Sequence, residues 1–283
     1  MQHDGPVADR GDFAALLRAW RERLQPAAVG FPAGNRRTSG LRREEVALLA
    51  GVSVDYLVRL EQGRADRPSA QVVASLARVL QLSDLERDQL HLAAGLPAPL
   101  PSAVPTHIPA SVQRLLARLP DVAIGVWTAH WTLLTANAAW RSLLGDMHPG
   151  LNLVVAEFTG VAPQVVWSEG DHERHERALV SDLRTALIRY PDDPSARAVL
   201  AELRTDDRFA RLWAEGTVVE HRFQAKTFLH PLVGEVTLDC DVLTAIGTDL
   251  RIVTYTAEPG TEDASRFDLI RTLGLAAVGG PPD

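Results

Sequence analysis

The chain of 283 residues contains one cysteine, one lysine and no apolar run as long as a membrane span. Each shortage excludes something. A lone Cys240 cannot close an internal disulfide or supply a zinc site built from several cysteines. Two roles stand open for it, a small hydrophobe buried in a strand, which is the commoner, and a redox sensor. A transmembrane helix needs roughly 18 to 20 consecutive apolar residues, and no stretch supplies them. Residues 1 to 11 carry charges but no hydrophobic core segment, so no secretory signal is expected and a cytoplasmic location is. Of the 29 basic residues all but Lys226 are arginine, a bias that fits a GC-rich genome. Also missing are a G-x-S-x-G elbow, a phosphate-cradling G-x-x-x-x-G-K and a G-x-G-x-x-G after a strand, so the enzyme classes that depend on them lose support.

What is present divides into two parts. The length suits about two domains, and a hydrophobic content of 46% is ample for two cores. The net charge of −7 is unevenly spread: residues 1 to 95 hold 13 basic and 12 acidic side chains, residues 96 to 283 hold 16 and 24. Arg18, Arg21, Arg23, Arg36, Arg37, Arg42 and Arg43 concentrate in one stretch that only Glu22 opposes, which predicts a phosphate-facing stripe.

Residues 43 to 62 carry the most specific pattern. Val46, Ala47 and Ala50 face inward on a short helix, Gly51 takes a turn that favours φ > 0, and Val52, Leu57 and Leu60 face back from a second helix. A side chain larger than Ala47 would hold the helices apart. Counted from Arg43, inward positions four, five, eight, nine, ten, fifteen and eighteen all fit, so the run resembles the helix-turn-helix of the lambda-repressor and Xre class. With Ser53 as N-cap, Val54, Asp55, Val58 and Arg59 lie toward the major groove as base contacts. Arg43, Ser53, Tyr56, Gln62 and Arg64 are expected at phosphates. Three further helices complete a five-helix unit. Asp12 is expected to cap the first, with Phe13, Leu16, Leu17, Trp20 and Leu24 along one face. Ser69 starts another, with Val72, Val73, Leu76 and Leu80 inward, and Ser83 with Glu86 forms a capping box for a last helix carrying Leu85 and Leu90. Residues 26 to 41, rich in Pro, Gly and Arg, are either an arm that touches DNA or a plain loop.

Residues 96 to 109 contain prolines that oppose helix and central strand, and read as a semi-rigid linker. Beyond it, residues 122 to 128 and 132 to 135 read as a β-hairpin. Helices follow over 138–144, 171–189, 194–203 and 208–214, then strands over 217–228, 234–243 and 250–256. That order suggests one antiparallel sheet with helices on one face, an α+β domain of the PAS type. Residues 110–260 form this domain and 261–283 a C-terminal helix and tail.

The segments LRREEVALLAGVSVDYLVRLEQGRADRPS, WTLLTANAAW, YPDDPSARAVLAELRTDDRFARLW, HPLVGEVTLDCDVL and YTAEPG, with the proline linker, together resemble the MmyB-like regulators. The resemblance implies an Xre-type DNA-binding domain followed by a PAS-like ligand-binding domain, and a fatty-acid-like ligand. The family commonly places Trp before the Asn at the hairpin exit; here Ala136 precedes Asn137, which changes one pocket wall.

Trp127, Trp131, Trp140, Trp167 and Trp213 line a pocket or are plain core. A sheet face of Val122, Ile124, Val126, Val236 and Leu238 opening onto the middle helices, beside Asn137, completes the expected apolar pocket. In residues 171 to 176, DHERHE, pairs at i, i+3 and i, i+4 could ligate a metal. The preferred account is a solvated, charged helix start with no metal. No convergent catalytic set appears, so a ligand-responsive transcription regulator is expected, not an enzyme and without a cofactor. It is expected to bind double-stranded operator DNA as a homodimer, because one short recognition helix reads too few base pairs. The alternatives are a regulator whose second domain is a platform for a partner protein and, further off, an enzyme domain.

Overall fold

The computed structural model describes residues 10–32, 40–65, 68–145, 147–161, 165–219 and 224–278. The chain divides into two compact units, Met1–Leu100 and Pro101–Asp283. Arg36 and Arg37 lie outside the described residues.

In the first unit five helices surround one core: α1 (Arg10–Arg23), α2 (Arg43–Ala50), α3 (Val54–Glu61), α4 (Ala70–Val79) and α5 (Asp84–Ala93). Ser53, Ser69 and Ser83 cap α3, α4 and α5, each hydroxyl accepting from a backbone N–H three residues on, and Glu86 completes the capping box. Asp12 is not the cap of α1. That helix begins at Arg10, and Asp12 sits in its first turn, where its charge meets the positive end of the dipole. A short 3-10 helix, Pro26–Val29, opens the segment after α1. Phe13, Leu17, Trp20, Val46, Ala47, Leu57, Leu60, Val73, Leu76, Leu80 and Leu90 are buried together. Leu85 is not on that face. It is 67% exposed, because it lies five positions before Leu90, which turns it about 140° around a helix of 3.6 residues per turn.

The second unit runs α6 (Ala110–Arg118), β1 (Ala123–Trp127), β2 (Leu133–Ala136), α7 (Ala138–Leu144), α8 (Leu153–Thr159), β3 (Val165–Val166), α9 (Asp171–Arg189), α10 (Pro194–Leu203), α11 (Asp207–Glu215), β4 (Gln224–His230), β5 (Gly234–Thr244), β6 (Arg251–Thr256) and α12 (Glu262–Val278). All six strands form one antiparallel sheet in the order β2-β1-β6-β5-β4-β3. The sequence reading missed α6, α8 and β3. Of the strand expected over 217–228, residues 217–219 are not strand, Val219 N–H donating instead to Ser181 Oγ of α9; residues 220–223 lie outside the described residues, and β4 is described from Gln224.

Helices cover both faces of the sheet, not one. Every residue of β1 is buried. Ala123 and Trp127 join the large core with α7, α8, α9 and α12, whereas Ile124 and Val126 turn to the other face and pack with Val112 and Leu116 of α6. Within the proline-rich segment, Val104 is buried against Ala129, Ala186 and Tyr190, and its N–H donates to Asp193.

Candidate functional site

The first candidate surface is α3 and the turn before it. Gly51 has φ of +70°, the left-handed conformation that lets α2 end and α3 begin at a sharp angle. Leu57 and Leu60 anchor α3 in the core, leaving Ser53, Val54, Asp55, Arg59, Gln62 and Arg64 exposed and Tyr56 and Val58 half-buried. The Arg59 guanidinium lies 5.8 Å from the Tyr56 ring centroid, a cation–π contact at an exposed site.

The arginine stripe is largely committed elsewhere. Arg21 is not a phosphate-facing residue: it is 5% exposed and bonds the buried Glu61 through Nε at 2.5 Å, with Nη1 on the Leu41 carbonyl at 2.9 Å. Arg43 reaches the other oxygen of the same carboxylate at 2.7 Å, so this expected phosphate contact first serves as one arm of a clasp. Arg18 pairs with Glu22 at 3.1 Å and Arg23 with Glu86 at 2.5 Å. The long reach of arginine explains the misplacement, since a sequence stripe gives each residue's order and not where its guanidinium ends.

The second candidate site is a cavity in the second unit, enclosing about 730 Å³ of atom-free space, part of it at an open mouth. Trp127, Trp131, Trp140, Trp167, Phe228 and Tyr255 supply aromatic walls, and Leu144, Met147, Leu153, Val165, Val242 and Val253 aliphatic ones. The pairing of β1 with β2 shifts register between Val126 and Trp127, next to the cavity-lining indole. Gly125 is required there: a Cβ would come within 2.9 Å of Trp127 Nε1 and 3.1 Å of the Trp140 ring. Trp131 has φ of +66°, and its indole N–H donates to Asp182 at 2.9 Å, which in turn pairs with Arg251. The indole N–H groups of Trp127 and Trp140 are buried and have no hydrogen-bond partner.

Four of the expected tryptophans therefore meet in one cavity. Val122, Ile124 and Val126 do not; they belong to the α6 face, because a strand alternates its side chains and Trp127 takes the opposite side. Asn137 caps α7, accepting from the N–H groups of Trp140 and Ile124 and donating to the Leu119 and Val122 carbonyls. Trp213 stacks on Phe209 and beneath Arg184. Val236 and Leu238 are core residues of the cavity-side face. None of these lines the cavity.

Sequence reasoning missed the polar groups there, Glu157, His175 and Lys226. Lys226 Nζ lies 5.4 Å from the Trp167 ring centroid. Desolvation pushes its amine below the usual lysine range, with Cys240 and Glu157 acting in the opposite direction. Burial pushes the Cys240 thiol and the Tyr255 hydroxyl up. The one usable signal was compositional, the single lysine of the chain falling in an alternating strand with Phe228.

The DHERHE segment is a charged helix start solvated on one side only: Asp171 and Glu173 lie in the first turn and Glu173 and Arg174 are exposed, but the other side is not solvated. His175 and Glu176 are 8% and 3% exposed. Trp167 stacks on both His172 and His175, at 5.2 and 4.9 Å between ring centroids, and shields the start of α9. Glu157 of α8 meets His172 at 2.5 Å.

A family model described as the MmyB-like transcription regulator ligand binding domain matches residues 108–270, and one described as a helix-turn-helix domain matches residues 12–90. No curated protein matches the chain. No helix among the described residues is long and apolar enough to cross a membrane. The two matches account for both units and the larger covers more than half of the sequence: the chain belongs to the MmyB-like transcription regulators, with a DNA-binding helix-turn-helix domain followed by a ligand-binding domain.

Proposed function

We propose that the protein acts in the cytoplasm as a homodimer on a near-palindromic operator, and that a small amphipathic ligand in the cavity of the second unit modulates its affinity for DNA. The observation that carries this reading is the pairing of aromatic walls with two unsatisfied indole N–H donors and a cavity-lining lysine. The buried indole N–H groups of Trp127 and Trp140 lack an acceptor, and Lys226, set over Trp167 on the same cavity wall, offers an amine to an oxygen placed inside these apolar surroundings. A ligand with an apolar body and a carboxylate head fits both, and a fatty-acid-like molecule is of that class. Val54, Asp55, Val58 and Arg59 would read base edges, and Ser53, Tyr56, Gln62 and Arg64 the backbone, with half-sites about 34 to 36 Å apart or a multiple of it.

The test has two steps. Mass spectrometry of an organic extract of the purified protein should yield a monocarboxylate with a long apolar body, and Lys226→Met should reduce its recovery. Operator titrations with and without that compound should then differ by about 5- to 150-fold, the usual span of allosteric coupling. A ligand that binds tightly yet leaves operator affinity unchanged would refute modulation through DNA and favour a partner-binding platform.

A further inference from the structure

We propose that Glu157, His172, His175 and Glu176 form a binding site for one divalent transition-metal ion beside the cavity. Two helices bring the four side chains together. Glu157 comes from α8, and His172, His175 and Glu176 fall at i, i+3 and i+4 in the opening turns of α9, which places them on one helix face. Ligand atoms of Glu157, His172 and Glu176 all lie within 4.8 Å of one another. His172 Nε2 is 2.5 Å from Glu157 Oε1 and 3.6 Å from Glu176 Oε1, and His175 Nε2 is 3.8 Å from Glu157 Oε2. Around a zinc ion with bonds of about 2.0 to 2.2 Å, tetrahedral ligand atoms stand about 3.3 to 3.6 Å apart, so the close His172–Glu157 pair would open by about 1 Å and His175, which lies near Glu157 alone, would swing in as the fourth ligand.

Electrostatics point the same way. The Glu157 and Glu176 side chains are 7% and 4% exposed, and a buried carboxylate is costly unless it is paired and hydrogen-bonded. Glu176 Oε1 is ion-paired with Arg208 Nε at 3.0 Å and lies 3.6 Å from His172 Nε2, yet it is buried and accepts no hydrogen bond. Arg208 acts on Glu176 and Lys226 on Glu157, while Glu173 adds a third carboxylate to the group, so a cation held between Glu157 and Glu176 would complement the acidic side of the cluster. The mixed imidazole and carboxylate donors suit Zn²⁺ and its first-row neighbours, whereas Mg²⁺ and Ca²⁺ prefer oxygen alone. Trp167 stacks on both imidazoles and fixes their ring planes, as groups outside a coordination sphere commonly do. Because Glu157 and His175 also line the cavity, a bound ion would tie α8 to α9 at the cavity wall.

The experiment uses the full chain, stripped with a chelator and dialysed against ZnCl₂ or CoCl₂ alone, so it does not depend on knowing the organic ligand. One zinc per chain by elemental analysis and an intense visible Co²⁺ spectrum of tetrahedral type are expected. His172→Ala is the first variant, because its side chain is 40% exposed and truncation spares the core. It should weaken zinc binding by at least about 100-fold, the upper end of the loss seen even for groups outside the coordination sphere. Glu176→Gln, which keeps shape and burial, should do likewise. Absence of stoichiometric zinc, a weak octahedral Co²⁺ spectrum in the unmodified chain, or binding that both variants retain would overturn the proposal.

Discussion

Replacing Glu61 by alanine tests whether the first unit is held by its buried ion clasp. The Glu61 side chain is 1% exposed and that of Arg21 7%, so the substitution strands a buried guanidinium with the Leu41 carbonyl and the half-exposed Glu22 as its remaining partners. Breaking a buried pair from one side costs about 3 to 5 kcal/mol, a large share of the roughly 5 to 15 kcal/mol that stabilise a domain. For a unit of this size 1 kcal/mol shifts the melting temperature by about 4 to 8 °C, so Glu61→Ala should lower the first unit's transition by roughly 12 to 40 °C. Arg43→Ala removes a partner that is 41% exposed and leaves the Arg21 pair whole, so about 1 kcal/mol or less is expected. The double variant Arg21→Met with Glu61→Leu should recover most of the loss, because apolar groups of similar size replace a buried pair without its desolvation cost. Calorimetry of the full chain resolves the order. Equal melting losses for Glu61→Ala and Arg43→Ala, or a double variant worse than Glu61→Ala, would refute the reasoning.

Arg59→Ala should weaken operator binding by about 1 to 3 kcal/mol and relax preference at one base pair in a binding-site selection; a uniform loss across sequences would place Arg59 at a phosphate. Gly125→Ala drives a methyl into the Trp127–Trp140 pair, and the urea midpoint of the second unit should fall by the equivalent of about 1 to 3 kcal/mol, with an altered near-ultraviolet circular dichroism spectrum. His130 is buried and desolvation holds its imidazole below the ordinary value of 6.5, partly offset by Asp193. The unfolded chain therefore binds the extra proton, so stability present above pH 6.5 is lost as pH falls below it, and His130→Gln should flatten that dependence in pH-resolved melting.

Local signals were legible wherever one residue determined an event. Ser53, Ser69 and Ser83 fix three helix starts because a short hydroxyl side chain before an apolar periodicity satisfies an orphan N–H. α7, α9 and α10 have the bounds read from the sequence, each opened by a capping residue, a glycine or a proline. β1 was harder. Its five residues are all buried, so hydrophobicity does not distinguish the two faces, and only the period of two separates Ile124 and Val126 from Trp127. α8, LVVAEFT, is too short and too uniformly apolar to show a helical stripe, although Asn152 caps it as Asn137 caps α7. Glu157, His175 and Lys226 come from three elements far apart in sequence, and no spacing rule joins them. Tertiary packing alone assembles the polar side of the cavity.

The single lysine has a practical use that follows from where β4 places it. Amine-directed reagents have one side-chain target in this sequence, and it lines the cavity. A protease that cuts only after lysine has one scissile bond, between Lys226 and Thr227, inside a strand paired on both edges near that point. Acylation at Lys226, read by peptide mapping apart from the α-amino group, would thus report occupancy of the cavity, and cleavage would report opening of the sheet.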